Sequence, residues 1–287
     1  MKHYIVLNIN KSGCISNMKS SGTSNIKTNT LYNLNLVDYN DITIDNNCIY
    51  LFIKHIDYIS IDKLKELKEK GNKLIFEPID YSWNNNDYLN SIIPLFKYFH
   101  TVICVSHNMK NIFQKEANDI NYSFIYHEYD DRLKIDNKVN NTIYYIGDYK
   151  NKSSLSEQDL EKYSIKHIKS CKNKELHLSS YTGIHINYIT KKHIYYNKIT
   201  STKLATSMYY NSIFICNKVP IYLEILGDNY EYYFEDDLSN LEKIINKAKN
   251  TLNNNKEYSN YLIKYSNIKK LFSPEYVKNE YIKLLNT

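Results

Sequence analysis

The chain has 287 residues, 43% hydrophobic and 24% charged, enough apolar material for a sizeable core and too much for wholesale disorder; its length suits one large or two medium domains. The formal charge of +6 comes from 37 basic residues against 31 acidic ones, interleaved along the chain, and Arg132 is the single arginine. A specific base reader uses arginine forks and a concentrated basic stripe, so specific nucleic-acid binding is not expected.

The opening "MKHYIVLNINKSG" is too short and too polar for a signal peptide, and no apolar run reaches membrane-spanning length, so a cytoplasmic protein is expected, with peripheral membrane contact left open. "HYIVLNI" predicts a strand, and residues 10 to 30 a loop or weak helix. "CIYLFIKH" predicts a second, buried strand. In "SIDKLKELKEKG" Ser60 suits a helix cap, Ile61, Leu64 and Leu67 share a face, and Gly71 suits the terminus. "KLIFEPID" reads as a strand, followed by a helix near 86 to 97, the strand "TVICVS", a helix opening at Ser106 and the strand "SFIYHEY". This rhythm predicts an α/β unit with a parallel sheet covered by helices on both faces. Cys48, Cys104 and Cys216 fall inside the strand runs; with Cys14 and Cys171 they make an odd set without CxxC spacing, expected to be reduced thiols.

Residues 127 to 141 break the apolar rhythm and read as a connector. "TIYYIGD" starts a second unit with a strand ending at Gly147, and a helix follows near 155 to 162. In "STKLATSMYYNSIFICNKVPIYLEILGD", residues 201 to 228, Ser201 or Thr202 is placed to cap a helix beginning near Lys203. Leu204 and Met208, with Ala205 and Tyr209, would face the sheet, and Lys203, Ser207 and Tyr210 another side. A strand and a Pro220 turn with Glu224 close behind complete the stretch. "DLSNLEKIINKAKNTL" has helical spacing from Leu238 to Leu252, and two more helical patterns follow, near 257 to 272 and after Pro274. The expected architecture is two Rossmann-like domains with parallel sheets facing a central cleft, over 1–135 and 136–273, with 274–287 a helix crossing back to the first. Ligands in such sheets lie beyond the carboxyl ends of the strands.

The amino end of the helix near Lys203 combines free amides, the positive dipole end, an ammonium and hydroxyls, a set suited to phosphate. The bland alternative is a surface lysine on an ordinary capped helix. On this reading Lys203→Ala lowers affinity for a diphosphate by one to two orders of magnitude and leaves the melting temperature nearly unchanged.

Residues 195 to 234 resemble the donor-binding half of glycosyltransferases of the GT-B fold, where a lysine-containing loop runs into a helix, a strand, and a proline-marked turn with an "ExxGD"-like tail, here "EILGD". "YYIGDYKNK" is similar to the first strand and glycine loop of the same half, and "VICVSHNMKNIF" and "IYHEYDDRL" to the end of the acceptor half. The resemblance implies a two-domain enzyme that moves a sugar from a nucleotide-diphosphate donor to a carbohydrate, lipid-linked or protein acceptor. No resident cofactor is implied, the nucleotide sugar being a co-substrate. It places Lys198, Ser201, Thr202, Lys203 and, on the same helix, Ser207 at the diphosphate, Gly147 where the backbone approaches it, and Glu224 near the ribose or sugar. Two glutamates common at the donor helix are replaced by Lys198 and Thr206, and Asp148 stands where a phosphate-binding residue often follows the glycine, so retention or inversion is left open. Base recognition is expected between 163 and 187.

Four residues are candidates for acid–base or acceptor-orienting roles: Asp80 after "KLIFEPI", His107 at a helix start, His127 entering the connector and His185 in "GIHINYI". Each has a structural alternative, as a turn former, a surface histidine or a hydrogen-bonding brace. "EYDD" and "EDD" imitate a metal pair, but Asp236 or Asp237 more simply caps the next helix, and no metal is expected. The rival readings are a catalytically silent nucleotide-sugar binder of the same fold and a nucleic-acid-associated basic protein.

Overall fold

The computed structural model describes residues 2–7, 30–31, 35–54, 56, 59–78, 92–135, 139–147, 155–168, 181–192, 196 and 200–286. They fall into two compact units: the residues up to Tyr126 with those from Glu275 onward, and those of His127–Pro274.

The first unit is a six-stranded parallel sheet. Its strands are β1 His3–Leu7, β2 Leu36–Asp38, β3 Ile49–Ile53, β4 Lys73–Glu77, β5 Thr101–Cys104 and β6 Asn121–Phe124, in the order β2-β1-β3-β4-β5-β6. Strands covered on both faces read as unbroken apolar runs, and all five residues of β3 are buried. Helix α1, Ile61–Glu69, is capped by Ser60, whose Oγ accepts the Lys63 amide at 3.2 Å, and Leu64 and Leu67 are its buried residues; Ile61 is 44% exposed and lies off that face. Gly71 ends the helix with φ 74°. Helix α2, His107–Glu116, is capped by Ser106 and buries Met109 and Phe113. Phe76 stacks on Phe99 at 5.2 Å and Phe96 meets Phe113 edge-on at 5.0 Å, which fills the space between helices and sheet. The expected helix near 86 to 97 falls partly outside the described residues; its end is a 3-10 helix, Ile93–Tyr98, with Pro94 in its first turn.

The second unit has strands β7 Ile143–Ile146, β8 Ile165–Ile168, β9 Ile184–Asn187, β10 Ile213–Asn217 and β11 Tyr233–Phe234, all parallel, in the order β11-β10-β9-β7-β8. Its helices are α3 Glu157–Lys162, α4 Thr202–Tyr209, α5 Pro220–Leu226, α6 Leu241–Asn253, α7 Asn255–Lys264 and α8 Ser266–Leu271. Ser156 and Asp159 close a capping box on α3. The Pro220 segment is a helix and not a turn, because proline at the first position loses no intrahelical bond there. Leu238 takes φ 62° outside α6, which begins three residues later and buries Leu241, Ile244, Ile245, Ala248 and Leu252. Neither aspartate caps it. Asp237 accepts the Ser239 amide at 2.9 Å, and Asp236 accepts the Asn217 side-chain amide at 2.8 Å.

Tyrosines build much of this core: the rings of Tyr230, Tyr232, Tyr261 and Tyr265 lie 4.9 to 5.7 Å apart. Part of the expected connector is bound to this unit. The Tyr129 amide donates to the Phe272 carbonyl at 3.0 Å, the Tyr209 phenol donates to the carbonyls of Asp131 and Leu133, and Arg132 grips Asp130 at 2.7 and 2.9 Å. The last helix, α9 Pro274–Asn286, runs on into the first unit, burying Val277, Tyr281 and Leu285 at four-residue spacing; the Tyr281 phenol donates to Glu77 Oε2. Cys48, Cys104 and Cys216 are buried free thiols; Cys14 and Cys171 lie outside the described residues.

Gly183 marks how tightly β9 is seated. A Cβ there would come within 2.8 Å of the carbonyl oxygens of both Asn140 and Thr142, which are backbone atoms that cannot swing aside. Gly183→Ala is expected to destabilise the chain by about 1–3 kcal/mol, read as a lower denaturant midpoint. An unchanged midpoint would mean that the lead-in to β7 yields freely.

Candidate functional site at the carboxyl edge of the second sheet

In the second sheet β8 lies on one side of β7 and β9 on the other, so the order in which strands are added reverses between β7 and β9. Parallel sheets hold ligands beyond the carboxyl ends of their strands at such a reversal. Gly147 sits there with φ 131°, a value that favours glycine; its amide donates to the Ile168 carbonyl at 2.7 Å, and its own carbonyl lies 2.6 Å from His167 Nε2. Lys203, the second residue of α4, reaches the same point. Its Nζ donates to the carbonyl of Ile146, the residue before Gly147, and lies 4.8 Å from the centre of the Tyr145 ring.

Ser201 occupies the N-cap position of α4, and its carbonyl accepts the Ala205 amide at 2.8 Å. Contrary to the expected cap, its side chain makes no capping bond. Its Oγ is fully buried and has no hydrogen-bond partner among the described residues. Thr202 Oγ1 pairs with Thr200 Oγ1 at 2.8 Å. The first amides of a helix lack intrahelical acceptors, so the amino end of α4 carries such amides together with the Lys203 ammonium that reaches the end of β7.

Other expected members stand elsewhere. Ser207 is buried and donates to the Ser212 carbonyl at 3.2 Å, and Tyr210 is buried with its ring against His185 and Tyr181, so neither shares the partly exposed side of Lys203. The helix turns by about 100° per residue, and the buried side of α4 proves wide enough to take in positions 204, 205, 207 and 208. Thr206 Oγ1 donates to the Thr202 carbonyl at 2.9 Å. Glu224 is partly exposed on α5, the helix that follows the carboxyl end of β10. Lys198 and Asp80 lie outside the described residues.

The three histidines differ in setting. His107 opens α2 at the carboxyl end of β5, exposed, its ring stacked on Phe124 at 4.3 Å and 18°. His127 is buried, its Nδ1 3.9 Å from Glu128 Oε2, beyond hydrogen-bonding distance. His185 lies inside β9, 4% exposed, with Nε2 2.8 Å from the Tyr181 carbonyl. Burial lowers its pKa to about 4, so the ring is neutral at pH 7 and Nε2 carries the proton donated to that carbonyl. That bond braces the strand, a structural role beside its expected catalytic one. The buried carboxylate of Glu77, at the carboxyl end of β4, went unnoticed in the sequence because a strand pattern does not reveal the phenol of Tyr281, two hundred residues away, that partners it.

Among the described residues no group of three His, Cys, Asp or Glu side chains is arranged to hold a metal ion, and no helix is long and apolar enough to cross a membrane. The sequence matches no protein-family model and no curated protein. Solved structures do resemble it. TarM aligns with a TM-score of 0.50 and 12% identity over 85% of this chain and 56% of its own. A GtfA/B complex aligns at 0.48 and 9% over 84% and 57%. A variant of S. aureus TarM in complex with Fondaparinux, alpha-GlcNAc-glycerol and UDP aligns at 0.47 and 10% over 85% and 57%. The chain thus spans 56% to 57% of the length of these structures. At such identities the likeness concerns the fold, and the two parallel-sheet α/β units, with the likeness to TarM, make a GT-B-like, two-domain Rossmann-like fold.

Proposed function

We propose that this protein is a glycosyltransferase that takes a nucleotide-diphosphate sugar as donor and a carbohydrate, lipid-linked or protein acceptor. The observation that carries the reading is the contact of Lys203, at the amino end of α4, with the carbonyl just before Gly147 at the reversal point of the second sheet. A departing diphosphate develops negative charge. Amides and an ammonium fixed in advance stabilise that charge without reorganising, which is the form of catalysis such a site offers. Thr202 belongs with this group, Lys198 joins it by sequence position, and Glu224 is assigned to the ribose or sugar. Ser207 is left to bracing α4. Asp80, His107 and His127 remain the acceptor-side and acid–base assignments, and the reaction is written without a metal or resident cofactor.

A thermal-shift screen with UDP, GDP and dTDP and their sugars, followed by mass spectrometry of transfer products, tests this. A ligand at a hundred times its Kd stabilises by about 2.7 kcal/mol, a rise on the order of 5 °C for a unit of this size. Stabilisation by one nucleotide series with turnover supports the reading. Stabilisation without turnover against every acceptor tried favours a silent binder of the same fold. No shift with any nucleotide, together with salt-sensitive oligonucleotide binding, rejects it.

A further inference from the structure

The opposite end of α4 holds a second chemical feature. Lys269 on α8 donates from Nζ to Asn211 Oδ1 at 2.7 Å and to the Tyr209 carbonyl at 3.5 Å. Asn211 carries a left-handed φ of 53°, and its carbonyl accepts the Tyr258 phenol at 2.5 Å, while Tyr261 donates to the Ser212 carbonyl at 3.3 Å. Side chains of α7 and α8 therefore clamp the turn that ends α4. Beside Lys269 lies a cavity of about 250 Å³, walled by Met208, Leu262, Tyr261 and Tyr265 with the hydroxyl residues Ser212 and Ser266; no carboxylate lines it.

A lysine at a helix carboxyl end is ordinarily a charged cap, favoured by the dipole and by solvent. Lys269 is half-buried, and burial lowers its pKa. Both of its acceptors are uncharged oxygens. A neutral amine keeps two N–H groups, enough for Asn211 and Tyr209 together, and retains a lone pair. Losing the proton therefore costs this site neither hydrogen bond.

We propose that Lys269 is an acylation site that takes a small acyl group from an acyl phosphate, with the cavity receiving the acyl chain. The amine lone pair attacks the acyl carbon and a C–N bond forms. The C–O bond to phosphate breaks, phosphate leaves with the electron pair, and the amine proton passes to solvent. An acetyl or propionyl chain fits the cavity, and Met208 and Leu262 cover its methyl end. The resulting amide retains one N–H and no charge, so it holds Asn211 or Tyr209 but not both, and the clamp on the turn after α4 loosens. The site is apart from the donor end of α4, and the inference is independent of the glycosyltransferase reading.

The test is a time course of the full chain with acetyl phosphate at neutral pH, each lysine followed by peptide mass spectrometry while circular dichroism confirms that the fold persists. Lys269 is expected to acetylate several-fold faster than the exposed Lys243 and Lys256, although it is less accessible. Asn211→Gly keeps the left-handed turn and removes the side-chain acceptor that favours the ammonium, and is expected to raise the Lys269 rate further. A Lys269 rate at or below that of the exposed lysines, or a fall in Asn211→Gly with the fold intact, overturns the proposal.

Discussion

Above pH 10 the chain is expected to unfold cooperatively, with its phenols ionising together and not one by one. Tyr222, Tyr230 and Tyr261 are buried in the second unit, and burial raises each phenol above its ordinary value of 10. With a folded pKa above the unfolded one, the native state holds its proton longer. Their contribution to stability is therefore constant below pH 10 and is lost as pH rises from 10 through the folded values. Each raised phenol withdraws stability over that range, and several act together against the 5 to 15 kcal/mol, roughly, that a domain has. Lys269, whose pKa is lowered, acts in the opposite direction, but it is one group against several. Phenolate absorbance and far-ultraviolet circular dichroism should change together. Tyr230→Phe is expected to move the transition to higher pH while costing about 1 kcal/mol at neutrality, since the Phe214 carbonyl loses its phenol donor. Gradual phenolate formation centred on pH 10 with unchanged dichroism would contradict this account.

What the sequence conveyed and what it withheld follow from the range of the forces involved. The strands β3, β5, β7 and β10 were legible because burial on both faces forces unbroken apolar runs. The caps at Ser60 and Ser106 were legible because capping is a contact within one turn. The short edge strands β2 and β11, and β8 with its Lys166 and His167, gave no such run; pairing with a neighbour defines them. Ser201 shows the limit more sharply. Its residue type predicted a cap, yet its carbonyl takes the first helical bond while its hydroxyl makes none, a distinction set by backbone angles of −73° and 3° and not by residue type. His185 was visible as a histidine on a strand, but its neutral state depends on burial, against Tyr210 among others, which outweighs the opposing pull of the carbonyl four residues back. Lys203 was found through its place at a helix start. Its partner, a backbone carbonyl on β7, carries no side-chain signature.

That partner changes what removal of Lys203 is expected to do. By sequence alone Lys203→Ala was expected to spare the melting temperature, but the ammonium bonds the Ile146 carbonyl and lies over Tyr145, and both contacts belong to the ligand-free protein. A cation over a partly desolvated ring contributes about 0.5–2 kcal/mol and a charged hydrogen bond about 1.5–3. Truncation to alanine also strips the stem that packs along the strand end. Lys203→Ala is therefore expected to lower both stability and donor affinity. Lys203→Met separates them, because methionine retains most of the stem and removes only the charge. For a nucleoside diphosphate that stabilises the wild-type chain, Lys203→Met should weaken binding by about 10- to 100-fold, the equivalent of one charge-assisted bond to phosphate. Its melting temperature should fall less than that of Lys203→Ala. Calorimetric titration of both variants decides the matter: unchanged diphosphate affinity in Lys203→Met, with stability lost as in alanine, would leave the lysine as a tie between α4 and β7 and remove it from the donor site.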